Sequence, residues 1–189
     1  MFVFYTISTE DSFNKNKRIE SSLNLIANGD HSALEDLYDL IKTDVYAYAL
    51  SKLRNKSDAE DIMQDTFVNV FRYAKQYQAK GKPLAWIFTI ELNLIKRHIK
   101  VGSRTIGIDE GYKTNTKITD TEDTIVTNNF LQQLLSNLSE EEREIVTLHL
   151  VSGLKHKEIA KLLKIGLSTI LSKYNRAIKK LQLLVKEQT

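Results

Sequence analysis

Apolar residues recur at helical spacing over most of residues 20–100 and again beyond residue 131, and no stretch of useful length alternates apolar with polar side chains. That period admits helices and argues against sheets. One proline and seven glycines leave few breakers in the chain, which points the same way. The expected fold is all-α: two small helical domains joined by a flexible linker, the second a helix-turn-helix domain. The expected division is an N-terminal extension over 1–19, a helical domain over 20–100, a linker over 101–130 and the second domain over 131–189. Residues 1–19 carry no readable signal.

Within the first domain, Leu34, Leu37, Tyr38 and Ile41 form one stripe that Val45, Ala49 and Leu53 continue. Ser57 to Glu60 reads as a capping box, so a helix is expected to start near Asp58. Its apolar face is read as Met63, Phe67, Val70, Phe71 and Ala74. Polar residues and Gly81 fill the stretch from Gln76 to Lys82, and Pro83 then suits the first turn of a helix running to about Lys100, with Ile87, Ile90 and Leu94 inward. Residues 101–128 are rich in Thr, Gly, Asn and Asp and carry no stripe, as a linker would. Ser139 and Glu142 form a second capping box before Ile145, Val146 and Leu148, and Gly153 closes that helix. Helices over about 155–163 and 167–186 follow.

There is no cysteine, which removes disulfides and thiolate metal sites and fits a reducing cytoplasm. The apolar opening Met1 to Tyr5 is too short for a signal peptide, and no apolar run approaches the roughly 20 residues of a membrane helix. Charge is distributed in blocks: net −6 over 20–65, +7 over 66–105, −6 over 106–144 and +7 over 145–189. Two basic blocks between acidic ones suggest two polyanion-binding surfaces; chance clustering of solvated charge is the plainer alternative.

Residues 155–178 read as a helix-turn-helix. Ile159, Ala160 and Leu163 lie on its first helix, Ile165 plugs the turn, and Ile170, Tyr174 and Ala177 face inward from the second. Ser168, Thr169, Ser172, Lys173, Asn175, Arg176 and Lys179 then face outward, the mix of short hydroxyls, amide and cations that suits a major-groove helix. A helical hairpin with a solvated lysine face is the alternative. Lys164 stands where the turn needs a left-handed residue, at a cost of about 1 kcal/mol relative to glycine, and Gly166 can cap the second helix.

Asp61, Gln64, Asp65, Val68 and Arg72 form a second stripe opposite the apolar face of their helix, suited to docking on another protein's helix or to simple solvation. Trp86 leads a stripe of Asn93, Lys96, Arg97 and Lys100 that Lys80 and Lys82 precede: a stacking platform beside a phosphate track, as single-stranded DNA requires, unless Trp86 is a lone core aromatic.

Three segments together resemble bacterial sigma factors of the extracytoplasmic-function group. Asp58 to Phe67 is similar to the family's core-binding helix. Pro83 to Ile90 with Asn93-Leu94 is similar to its DNA-melting segment. Leu138 to Leu181, with Glu158-Ile159-Ala160 and Ser172-Lys173-x-x-Arg176-Ala177, is similar to its region 4. The resemblance implies a non-enzymatic, cofactor-free subunit that docks on core RNA polymerase through Asp61, Gln64, Asp65, Val68 and Arg72. It implies capture of melted −10 promoter DNA by Lys80, Lys82, Trp86, Asn93, Lys96, Arg97 and Lys100. Reading of the −35 element would fall to Ser168, Thr169, Leu171, Ser172, Lys173, Asn175, Arg176 and Lys179. The acidic linker would thread through polymerase, and an anti-sigma protein commonly holds such factors inactive. The chain departs from the family pattern at Glu91-Leu92, at Arg97 where an aspartate is usual, at Leu171 where a basic residue is usual, and at Lys173 where an arginine is usual.

The sequence also admits three other readings. One is a helix-turn-helix regulator that acts without polymerase. Another is a metal-dependent nuclease built on Asp58, Glu60, Asp61 and Asp65. The third is a sigma-like protein that only binds partners.

Overall fold

A computed structural model describes residues 9–105 and 136–187. Helix α1 spans Thr9–Ala27 and buries Ile19, Leu23 and Ile26, spaced as one helical face. The boundary expected at residue 20 therefore falls inside a helix, and Ile19 of the supposed extension is core. A buried carboxylate fixes that helix: Lys15 forms an ion pair with Asp44 on α2 (Ser32–Leu53).

Helix α2 buries Ala33, Leu37, Ile41, Val45, Tyr48 and Ala49. It stops at Arg54, which is left-handed (φ 54°), and the chain turns extended at Asn55. The Asn55 side chain accepts a hydrogen bond from the Asp58 amide at 3.2 Å. Helix α3 accordingly runs Lys56–Tyr73 with Asn55 as its cap. This corrects the expected Ser57 box: an Asn directly after a left-handed stop reaches the free amides first, so Ser57 is already inside the helix. The buried face is also rotated from expectation. It is Ala59, Ile62, Thr66, Phe67 and Val70, with Ala74 just beyond, whereas Met63 is half-buried and Phe71 lies exposed against the His31 ring, 5.1 Å between centroids. Thr66 tolerates burial because its hydroxyl donates to the Ile62 carbonyl at 2.7 Å.

A single 3₁₀ turn, Ala74–Gln76, and a loop lead to α4, Pro83–Thr105. Leu84, Ile87, Phe88, Leu92, Leu94 and Ile95 are buried, and so is Glu91; Ile90, expected inward, is half-buried. The helix runs past Lys100 into the expected linker, the rest of which, to residue 130, lies outside the described residues.

Helix α5 (Glu140–Val146) carries the expected capping box: the Glu142 amide donates to Ser139 Oγ at 3.3 Å and the Ser139 amide to Glu142 Oε2 at 2.9 Å. It widens into one π turn, Thr147–Val151, and the chain reverses at Gly153 (φ 69°). Helices α6 (His156–Leu163) and α7 (Leu167–Glu187) follow.

The two halves share one core. Ile145, Leu148, Leu154, Ile159, Leu162 and Ile170 belong to the same buried cluster as Tyr48, Ala49 and Phe88. At that seam the Tyr48 hydroxyl donates to Glu144 Oε1 at 2.7 Å, and Lys52 reaches Glu140 at 2.7 Å and Glu144 at 3.2 Å. The buried Arg143 guanidinium donates to the carbonyls of Ser51 and Leu138.

Candidate nucleic-acid interface

The outward face of α3 carries Asp61, Gln64, Asp65, Val68 and Arg72, all exposed, back to back with the Ala59/Ile62/Phe67 stripe. Val68 is 52% exposed, an apolar centre within a charged rim. Beside this face the Asn69 side-chain amide donates to the Asp65 carbonyl at 2.7 Å.

The second surface is the loop before α4 with the outer face of α4. Lys80, Lys82, Asn93, Lys96, Arg97 and Lys100 are exposed. Trp86 is not an open platform: it is half-buried, packed on the core and tilted against Tyr77 at 5.3 Å between centroids. Its position in the first turn of α4 puts the indole between core and loop, so one side packs while the rest stays accessible. Glu20 on α1 pins this loop, accepting from the Tyr77 hydroxyl at 2.7 Å and from the Gly81 amide at 3.2 Å. Gly81 has φ 66°, a conformation glycine adopts without strain. Burial and the neighbouring Glu20 carboxylate keep the Tyr77 phenol protonated well beyond the usual range. Tyr77 and Glu20 escaped the sequence reading, because 57 residues separate them and neither belongs to the basic stripe. Lys82 also faces Glu158 of α6 at 3.8 Å, and His98 faces Asp58 at 3.5 Å.

The third surface is α6, its turn and α7. Lys164 adopts the left-handed conformation the turn demands (φ 58°, ψ 39°), and the Ile165 amide donates to the Ala160 carbonyl at 3.1 Å. The Gly166 carbonyl accepts from the Ile170 amide at 3.0 Å, as a helix cap does. Ser168, Thr169, Leu171, Ser172, Asn175, Arg176 and Lys179 are exposed on α7. Lys173 is the exception to the expected outward set. It is half-buried and ion-paired with Glu141 of α5, because α5 packs across α7 and a lysine beside an acidic first turn takes the nearer carboxylate. Lys180 pairs with the buried Glu142 at 2.7 Å in the same way. Tyr174 packs edge-on against His149 and His156, 4.9 and 4.7 Å between centroids.

Among the described residues no three His, Cys, Asp or Glu side chains are placed to hold a metal ion, and Asp58 of the acidic cluster faces His98 rather than its neighbours. No helix among them is long and apolar enough to cross a membrane.

Residues 30–105 match the family model for sigma-70 region 2, and residues 131–181 match that for sigma-70 region 4, so the two together span about two thirds of the chain. The ECF RNA polymerase sigma factor SigK of Mycobacterium tuberculosis is 26% identical over 176 residues, covering 87% of this chain and 91% of that protein. The chain belongs to the extracytoplasmic-function (ECF) sigma factors. As a member of that family it is a transcription initiation factor that binds DNA. Two solved structures share the fold of this sigma factor. One is CnrH in complex with the cytosolic domain of CnrY (TM-score 0.66, 20% identity, 91% of this chain and 99% of that one). The other is RpoE in complex with the anti-sigma factor NepR from Bartonella quintana (TM-score 0.60, 24% identity, 80% of this chain and 96% of that one).

Proposed function

We propose that this sigma factor docks on core RNA polymerase, opens promoter DNA at the −10 element and reads the −35 element, with one exposed surface for each task. The α3 face of Asp61, Gln64, Asp65, Val68 and Arg72 is the polymerase contact. The pinned loop and the α4 stripe hold the melted strand: Lys80, Lys82, Lys96, Arg97 and Lys100 lie along its phosphates, and Trp86 offers its free side to an unstacked base. The amino-terminal half of α7 enters the major groove. Residues up to about 105 form the docking and melting half, and those from 136 the duplex-reading half. The protein acts in the cytoplasm, where the polymerase is, without catalytic residues or cofactor of its own, and an anti-sigma protein is its natural inhibitor.

The observation that carries this reading is the separation of the first two surfaces: the α3 face and the α4 stripe belong to one packed unit yet use different helices, so polymerase and DNA can bind together. Run-off transcription with core polymerase on a genomic promoter library tests it. The expected result is RNA starting at a small set of promoters that core polymerase alone leaves silent. DNA binding without any polymerase-dependent start would instead identify a plain helix-turn-helix regulator.

A further inference from the structure

Resting on the assignment of α7 to the −35 element, we propose that Leu171 reads a thymine methyl group, so that the −35 site of this factor carries a thymine opposite that residue. Leu171 is 40% exposed on the face that also presents Ser168 and Asn175, with the exposed Ser172 next to it in sequence. Those neighbours are short and polar, so the leucine projects beyond them. The next large apolar side chain exposed on α7 is Leu183, 61% exposed and about 18 Å further along the axis, so Leu171 is not the edge of an apolar patch for a protein partner.

In the groove, the base edges leave one good match for a projecting aliphatic group. Guanine, cytosine and adenine present hydrogen-bonding atoms there, and burying these against Leu171 leaves them unpaired; thymine alone adds a C5-methyl. The cations that would read guanine stand elsewhere. Lys173 is drawn to Glu141, and Arg176 sits five residues on, about 7.5 Å along the helix. Ser168 and Thr169 lie beside the Gly166 cap, where hydroxyls and the first free amides suit a phosphate and fix the register of the leucine.

The test uses holoenzyme, reconstituted from the full chain and core polymerase, on a promoter found by run-off transcription. Each −35 thymine, on either strand, is replaced in turn by deoxyuridine, which lacks only the methyl, and affinity is read by fluorescence anisotropy. At one position the replacement is expected to weaken wild-type binding about fourfold, the worth of one buried methyl. Holoenzyme carrying Leu171→Ala is expected to bind the thymine and deoxyuridine probes equally at that position. The proposal is overturned if the −35 element holds no thymine, or if no replacement matters while the promoter is bound and opened normally; the proposed function then stands. A chain that starts no RNA at any promoter overturns both. The deoxyuridine series on the wild-type protein can overturn the proposal even if Leu171→Ala misfolds.

Discussion

Glu91 lies on α4 facing α2, fully buried, and neither of its carboxyl oxygens has a hydrogen-bond partner among the described residues. Burial holds this carboxyl well above its ordinary range; the Ala49 backbone works the other way, and the charge of Asp44 adds to the rise. A carboxyl whose folded value is raised costs stability as pH climbs above 4.5, its unperturbed value, because the unfolded chain releases the proton first. Glu91→Gln removes that slope. The variant is expected to exceed wild-type stability at pH 8 and to converge with it near pH 4.5, as followed by thermal denaturation at several pH values. A less stable variant at pH 8 would mean that the carboxylate has found a partner. Trp86 differs in kind, since half of it already has packing to do. Trp86→Ala should leave polymerase binding in place and impair promoter opening, seen as lost permanganate reactivity at the melted thymines. Unchanged reactivity would remove Trp86 from the melting surface.

At the scale of elements, the outer face of α3 is the clearest target. Asp61→Lys combined with Gln64→Ala reverses one charge and removes one amide on a fully exposed stripe, so the helix itself is spared. Affinity for core polymerase in a competition assay is expected to fall tenfold or more, with unchanged thermal stability; equal affinity would refute the docking face. The elements also show what a sequence can and cannot reveal. The Ser139 box and the left-handed Lys164 were legible because each is decided within four residues. The start of α3 was misread because Asn55 and Ser57 are both good caps, and only the backbone of the preceding stop chooses between them. The α3 stripe was misplaced toward Phe71 because Ala59 and Ile62, both buried, were left out of the period. The outward set on α7 was read correctly apart from Lys173, whose partner Glu141 is 32 residues away and meets it only when α5 crosses α7. No local pattern encodes that crossing.

At the scale of the molecule, the seam between the halves is the least local feature of all, its Tyr48–Glu144 hydrogen bond joining residues 96 apart. Burial opposes the charge of Lys52, but Glu140 and Glu144 outweigh it, and Lys52 in turn holds the Glu140 carboxyl below its usual range. Lys52→Glu sets three carboxylates together and is expected to part the halves, raising the radius of gyration measured by small-angle scattering; adding Glu140→Lys should draw them together again. An unchanged radius for Lys52→Glu would show that the apolar contacts alone hold the seam. On the proposed function, the nominal −10 and −35 elements lie about 85 Å apart along the duplex, whereas the longest helix among the described residues, α4 with 23 residues, spans about 35 Å. On that reading, halves that share a core would have to separate to reach both. Contacts at the seam would then have to break first, and the apparent affinity for polymerase would fall in proportion to the fraction of molecules with the seam open. Tyr48 and Lys52, which lie outside the three proposed surfaces, would thus set the effective dose of the factor, and every tenfold change in the open population would reach all its promoters at once.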